Sequence, residues 1–141
     1  MEGKLKVWIN GAFDVLHVGH MRLLQLGASL GSVRVGLDSD KRIRELKGRE
    51  RPYNTLKDRV EFISSVKYVD DVVTFNTREE LIERIKEYQP DLMVIGDDYR
   101  GKEIVGIEYI PKVVYYNKVK GKSTSSILSY EKSDSNRGPM Y

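Results

Sequence analysis

Short apolar runs separated by segments of helical period constrain this chain more than any other feature. The runs are Lys6–Asn10, Val33–Asp38, Asp71–Phe75, Asp91–Ile95 and Lys112–Tyr116. They are rich in Val and Ile and do not alternate apolar with polar, the pattern of strands covered on both faces. Between them, the periodicity predicts helices at 20–30, 55–66 and 77–88. Thr55 with Asp58 resembles a capping box with a shortened acid, Thr77 with Glu80 reads as a full one, and Pro90 stops the third helix. Strand and helix in repeated alternation predict a small, doubly wound, five-stranded parallel sheet of Rossmann-like α/β class. In such folds ligands bind outside the carboxyl ends of the strands. A length of 141 residues suits one domain, expected over 1–130. The polar stretch 131–141 reads as a disordered tail.

The decapeptide Gly11-Ala12-Phe13-Asp14-Val15-Leu16-His17-Val18-Gly19-His20 joins the first strand to the first helix. Backbone N–H groups point outward there without intrahelical partners, and the helix dipole favours an anion. His17 and His20 add imidazole donors, which makes the junction a phosphate site. Gly11 and Gly19 lack a Cβ, so an anion can come close to the backbone. Asp14 is expected to orient the turn rather than touch the ligand. A His-x-x-His pair could also bind zinc, but with no cysteine in the chain a distant carboxylate would have to complete the site.

Three further groups fall just after strands. Gly121-Lys122-Ser123-Thr124 is not a P-loop, because Tyr116 stands where the first glycine is needed and the strand before it is the last one. It reads as a glycine turn with hydroxyls at a helix start (123–130), an ordinary cap or a second phosphate cradle. Gly96-Asp97-Asp98-Tyr99 is a turn whose acids could hold a ribose hydroxyl, an exocyclic amine or Mg²⁺. Leu46 to Asn54 reads as a long connection whose cations can clamp phosphates. It overlaps the densest basic run, 41–51, which taken alone would be a solvated loop.

The bulk chemistry narrows the classes. A net charge of +3 with acids interspersed supplies no continuous basic face for nucleic acid. No apolar run reaches the length of a membrane span, and residues 1–4 carry no apolar leader. The absence of cysteine suits a reducing compartment, so the expectation is a cytoplasmic protein that binds neither nucleic acid nor membrane. Together, two anion cradles, several cations and an acidic corner are what nucleotidyl transfer requires: much positioning and little covalent chemistry.

Gly11 to His20, with its intact His-x-Gly-His core, resembles the signature of the cytidylyltransferase-like nucleotidyltransferases. Ser123-Thr124-Ser125-Ser126-Ile127 resembles that family's second signature, with Ser125 in place of a threonine. The resemblance runs from about Leu5 to Leu128. Within the family, Asn10-Gly11, Leu46-Lys47-Gly48, Arg51-Pro52-Tyr53-Asn54, Arg59 and Glu103-Ile104-Val105-Gly106 are similar to heptose 1-phosphate adenylyltransferases, found as the C-terminal domain of ADP-heptose synthases. Ile95-Gly96-Asp97-Asp98 and Lys118 are instead similar to glycerol-3-phosphate cytidylyltransferases. The resemblance implies that ATP or CTP reacts with a sugar or polyol phosphate and releases pyrophosphate, with no metal held by the protein and Mg²⁺ carried by the nucleotide. It implies catalytic roles for His17, His20 and Lys47, and nucleotide contacts from Gly11, Ala12, Phe13, Gly19, Asp98, Lys118, Ser123 and Thr124. Arg51 and Arg59 would take the acceptor's phosphate, and a homodimer is implied. A non-catalytic nucleotide-binding domain is the rival from another class.

Overall fold

The structure is a computed structural model that describes residues 4–117. The expected tail, the helix at 123–130, Lys118, Ser123 and Thr124 lie outside the described residues. Five parallel strands form one sheet in the order β3-β2-β1-β4-β5: β1 (Lys6–Gly11), β2 (Ser32–Asp38), β3 (Asp71–Phe75), β4 (Leu92–Gly96) and β5 (Val113–Tyr116). Each lies within a residue or so of its expected bounds. Helices α1 (Val18–Leu30), α3 (Leu56–Ser64) and α4 (Arg78–Tyr88) fill the expected crossovers.

The basic connection after β2 departs from the expectation of a loop. It contains α2 (Asp40–Lys47), capped by Ser39, whose hydroxyl accepts from Arg42 N–H. Ile43 is its one buried apolar residue. So little apolar periodicity leaves a charged helix hard to tell from a solvated loop.

The central strands are largely buried on both faces and sort their side chains with a period of two. Val7 and Ile9 of β1, with Leu92 and Val94 of β4, join Leu23 and Leu24 of α1 and Ile63 of α3. Trp8 and Met93 point the other way, against Phe75 of β3 and Leu81 and Ile85 of α4.

The chain runs β1 to β2 to β3 outward in one direction, then crosses back to β4 and β5, so the winding reverses between β1 and β4. The pairing there is short. β1 matches β2 over six residue pairs, but β4 only at Val7–Leu92 and Trp8–Met93. Beyond Trp8 the two strands part, which opens a crevice at their carboxyl ends, where doubly wound sheets hold ligands.

Candidate active site

The loop after β1 is built around its own polar side chains. His17 is the N-cap of α1, in extended conformation, and its Nδ1 accepts from Gly19 N–H at 3.0 Å. His20, three residues on, returns the bond: its Nδ1 accepts from His17 N–H at 3.1 Å. This is a reciprocal capping box made of imidazoles in place of hydroxyl and carboxylate. With both Nδ1 atoms acting as acceptors, each neutral ring carries its proton on Nε2. The rings lie 4.0 Å apart between centroids. A Cβ on Gly19 would stand 2.8 Å from His17 Cε1, so the glycine lets the imidazole fold back over the helix start.

By contrast, the expected box at α4 is only half reciprocal. Thr77 accepts from Glu80 N–H, but Glu80 reaches past Thr77 to Asn76 N–H.

Asp14 is buried and binds the 51–54 segment. Its carboxylate accepts from Tyr53 N–H and Asn54 N–H, each at 2.8 Å, and from Arg51 Nε at 3.1 Å. Burial alone would raise its carboxyl, but the two N–H groups and Arg51 outweigh burial and hold it below the ordinary value. Asp14 therefore fastens the segment following α2 to the histidine loop. Arg51 stacks over Tyr53 at 5.0 Å while it does so.

Arg59 sits differently from the expectation that it takes the acceptor's phosphate. It is fully buried, and four of its five N–H donors are engaged. They go to the carbonyls of Asn54, Ala12 and Asp38 and to the carboxylate of Asp40. It supports the histidine loop, the β2 terminus and the 51–54 segment from behind. The sequence signal for this was its place on the inward stripe of α3, four residues before buried Ile63.

Lys47 closes α2. Burial, then the neighbouring Arg51, pull its ammonium below the usual lysine value, against the opposing pull of Asp38. After β4, Asp98 lies in a single 3-10 turn, and its Oδ1 is buried without a hydrogen-bond partner. A Cβ on Gly96 would meet that oxygen at 2.6 Å, so the glycine makes room for the carboxylate.

A cavity of ≈ 290 Å³ occupies the crevice between β1 and β4. Asn10 and Phe13 line it from the β1 side, Val94 and Gly96 from β4, and Arg42 and Leu46 from α2. Phe13 also contacts His20, with ring centroids 5.2 Å apart, so the cavity borders the histidine loop directly. Arg78 and Glu103 also line it, and nothing in the sequence alone assigns Arg42 or Arg78 to a site. Asp38 stands four residues before Arg42, but it ends β2 rather than lying on α2, so no helical spacing in the sequence signals the pair. Among the described residues, no three His, Cys, Asp or Glu side chains gather in a way that could hold a metal ion.

Comparisons with known proteins agree with this geometry. The family model described as Cytidylyltransferase-like matches residues 8–127. The bifunctional protein HldE of Campylobacter fetus is 41% identical over 128 residues, 90% of this chain and 28% of that protein. HldE of Helicobacter hepaticus is 44% identical over 123 residues, 86% of this chain and 25% of its own length. The chain thus spans about a quarter of the curated relatives it matches. Among solved structures, a lipopolysaccharide core biosynthesis protein from Thermoplasma volcanium aligns with a TM-score of 0.67 at 24% identity. That alignment covers 82% of this chain and 98% of the other, and it speaks for the fold alone. With an imidazole-capped helix beside the crevice of a doubly wound sheet, and a family match spanning nearly all of it, the chain belongs to the cytidylyltransferase-like family of nucleotidyltransferases.

Proposed function

We propose that this protein transfers a nucleoside monophosphate from a nucleoside triphosphate to a phosphorylated sugar, with heptose 1-phosphate and ATP as the pair the sequence favours. The observation that carries the reading is the imidazole capping box beside the β1–β4 cavity. The acceptor's phosphate oxygen attacks the α-phosphorus in line and pyrophosphate departs, so no enzyme nucleophile is needed. The Nε2–H groups of His17 and His20 donate to the charge that builds on the α-phosphate and bridging oxygens. Lys47 neutralises the β- and γ-phosphates, joined by Ser123 and Thr124. Gly11, Ala12, Phe13 and Gly19 bring the backbone close to the phosphates, and Asp98 and Lys118 contact the nucleoside. Arg51, held by Asp14, stands among the cations on the acceptor side. Mg²⁺ bound to the triphosphate supplies further charge neutralisation. The active form is a homodimer acting in the cytoplasm.

A glycerol-3-phosphate cytidylyltransferase is the second reading, favoured by the Gly96-Asp97-Asp98 turn and the unpartnered carboxylate oxygen of Asp98. One assay separates the readings. The protein is mixed with Mg²⁺, ATP or CTP, and heptose 1-phosphate or glycerol 3-phosphate, and pyrophosphate is followed. Release with ATP and the heptose supports the first reading, and release with CTP and the glycerol ester the second. Tight nucleotide binding without turnover on either acceptor would make it a non-catalytic nucleotide-binding domain.

A further inference from the structure

An acceptor that brings a phosphate up to a bound triphosphate meets like-charge repulsion, so it needs a cation of its own. Most cations near the crevice are otherwise occupied. Arg59 is buried behind the loop with four of its five donors engaged, and Arg78 pairs with Glu103 at 2.8 Å on the exposed rim. Arg51, bound to Asp14 through Nε, is not among the residues that line the cavity. Arg42 differs. Its side chain lines the cavity from α2 and is 15% exposed, and its Nε donates to Asp38 Oδ1 at 2.8 Å. Its guanidinium carbon lies 5.6 Å from the centre of the Phe75 ring. Among the described residues, the two terminal nitrogens make no hydrogen bond to protein.

The brace behind Arg42 is unusual. Asp38 is fully buried at the last position of β2, and its second carboxylate oxygen has no partner. Arg59 fixes the same residue through its backbone carbonyl at 2.7 Å. Burial pushes the Asp38 carboxyl up, while Arg42, then Arg59 and Lys47, pull it back. A buried carboxylate is a costly way to hold a surface helix, whereas it suits a guanidinium that must keep one orientation.

We propose that Arg42, braced by Asp38, grips the acceptor's phosphate through its two terminal nitrogens, on the wall of the cavity that α2 supplies. The inference rests on the transferase reading above and adds to Arg51 the acceptor contact that the sequence led one to expect of Arg59. The ligand class is a phosphate monoester on a hydroxylated carbon body small enough for the cavity. Phe13 lines this cavity and touches His20, so the cavity that Arg42 lines also borders the histidine loop.

Two variants and a spectrum test it. In Arg42→Gln, the acceptor's KM should rise about tenfold or more, the scale of a lost charge-assisted hydrogen bond, while the nucleotide's KM stays within about twofold. Arg42→Gln alone leaves Asp38 unpaired and could fail to fold. The double variant Asp38→Asn with Arg42→Gln removes both charges and should show the same KM split. Independently of turnover, the ¹⁵N resonance of Arg42 Nε–H should shift saturably as glycerol 3-phosphate or heptose 1-phosphate is added without nucleotide. An unchanged acceptor KM in the folded double variant, a rise in the nucleotide's KM instead, or a resonance that does not move would overturn the proposal. A saturable shift in a protein that releases no pyrophosphate would uphold the Arg42 contact and remove the transferase reading. Turnover undiminished in the double variant would do the reverse.

Discussion

His17 and His20 cap each other: each ring's Nδ1 accepts a backbone N–H of the same turn, 3.0 Å for His17 and 3.1 Å for His20. The structural and chemical duties of these rings therefore fall on different nitrogens, and substitution can separate them. Asparagine keeps an acceptor near the Nδ1 position and lacks Nε2. His17→Asn should lower kcat about a hundredfold, as for a lost oxyanion-type donor, with little change in melting temperature. His17→Ala should lose the same activity and about 1 kcal/mol of stability besides. Pyrophosphate release and thermal unfolding measured on both variants check the separation.

Gly19→Ala is expected to fold and to fail as a catalyst. The new methyl would stand 2.8 Å from His17 Cε1, and an imidazole can swing away where backbone could not. Alanine is also the better helix former. Unfolding should change by less than about 1 kcal/mol while activity falls toward that of His17→Ala. Full activity in the alanine variant would mean the ring's folded-back position is irrelevant.

Acid should loosen the loop through Asp14. Its carboxyl titrates below the unfolded value of 3.8, so the folded chain binds fewer protons than the unfolded chain between those two points. The stability it contributes is complete above 3.8 and is lost as pH falls through the folded value. Asp14→Asn should therefore be less stable than the parent at pH 7, with the gap narrowing as pH drops below 3.8. Urea midpoints across that range would report it.

Lys47 sets an alkaline limit. Burial and Arg51 lower its ammonium, so its charge is lost on raising pH before the ordinary lysine value of 10.5 is reached. The basic limb of kcat/KM for the nucleotide, which reports the free enzyme, should fall below that value. Lys47→Arg should abolish the limb while retaining part of the rate, because a guanidinium does not titrate there.

Arg59→Gln should be among the most destabilising single changes in the described region, by roughly 3–5 kcal/mol. It strips a partner from three carbonyls and from Asp40, all behind the site. A smaller loss in a denaturant titration would mean that water reaches these carbonyls when the guanidinium is gone.

The sheet was legible in the sequence because the central strands are largely covered on both faces, which writes short runs rich in Val and Ile. The histidine turn was legible because a glycine between imidazoles at a strand–helix junction has few other uses. Charges were harder to read. Arg59 and Arg51 are equally polar in sequence, yet one is sealed inside and the other lies at the loop surface. Burial of a guanidinium depends on carbonyls from three segments, two of them far away in sequence, and no local pattern records that gathering. Asp38 and Arg42 stayed hidden for a related reason, since Asp38 ends β2 and α2 shows only one buried apolar residue, so no helical spacing announces the pair.

The early parting of β1 from β4 has a consequence for how this scaffold can change. The opening arises where main-chain ladder bonds run out, so its existence does not depend on which side chains border it. Replacing residues along its walls can change what the crevice admits while leaving the sheet intact, and grafted specificity should therefore be sought at Leu46 and Glu103 before any strand is touched.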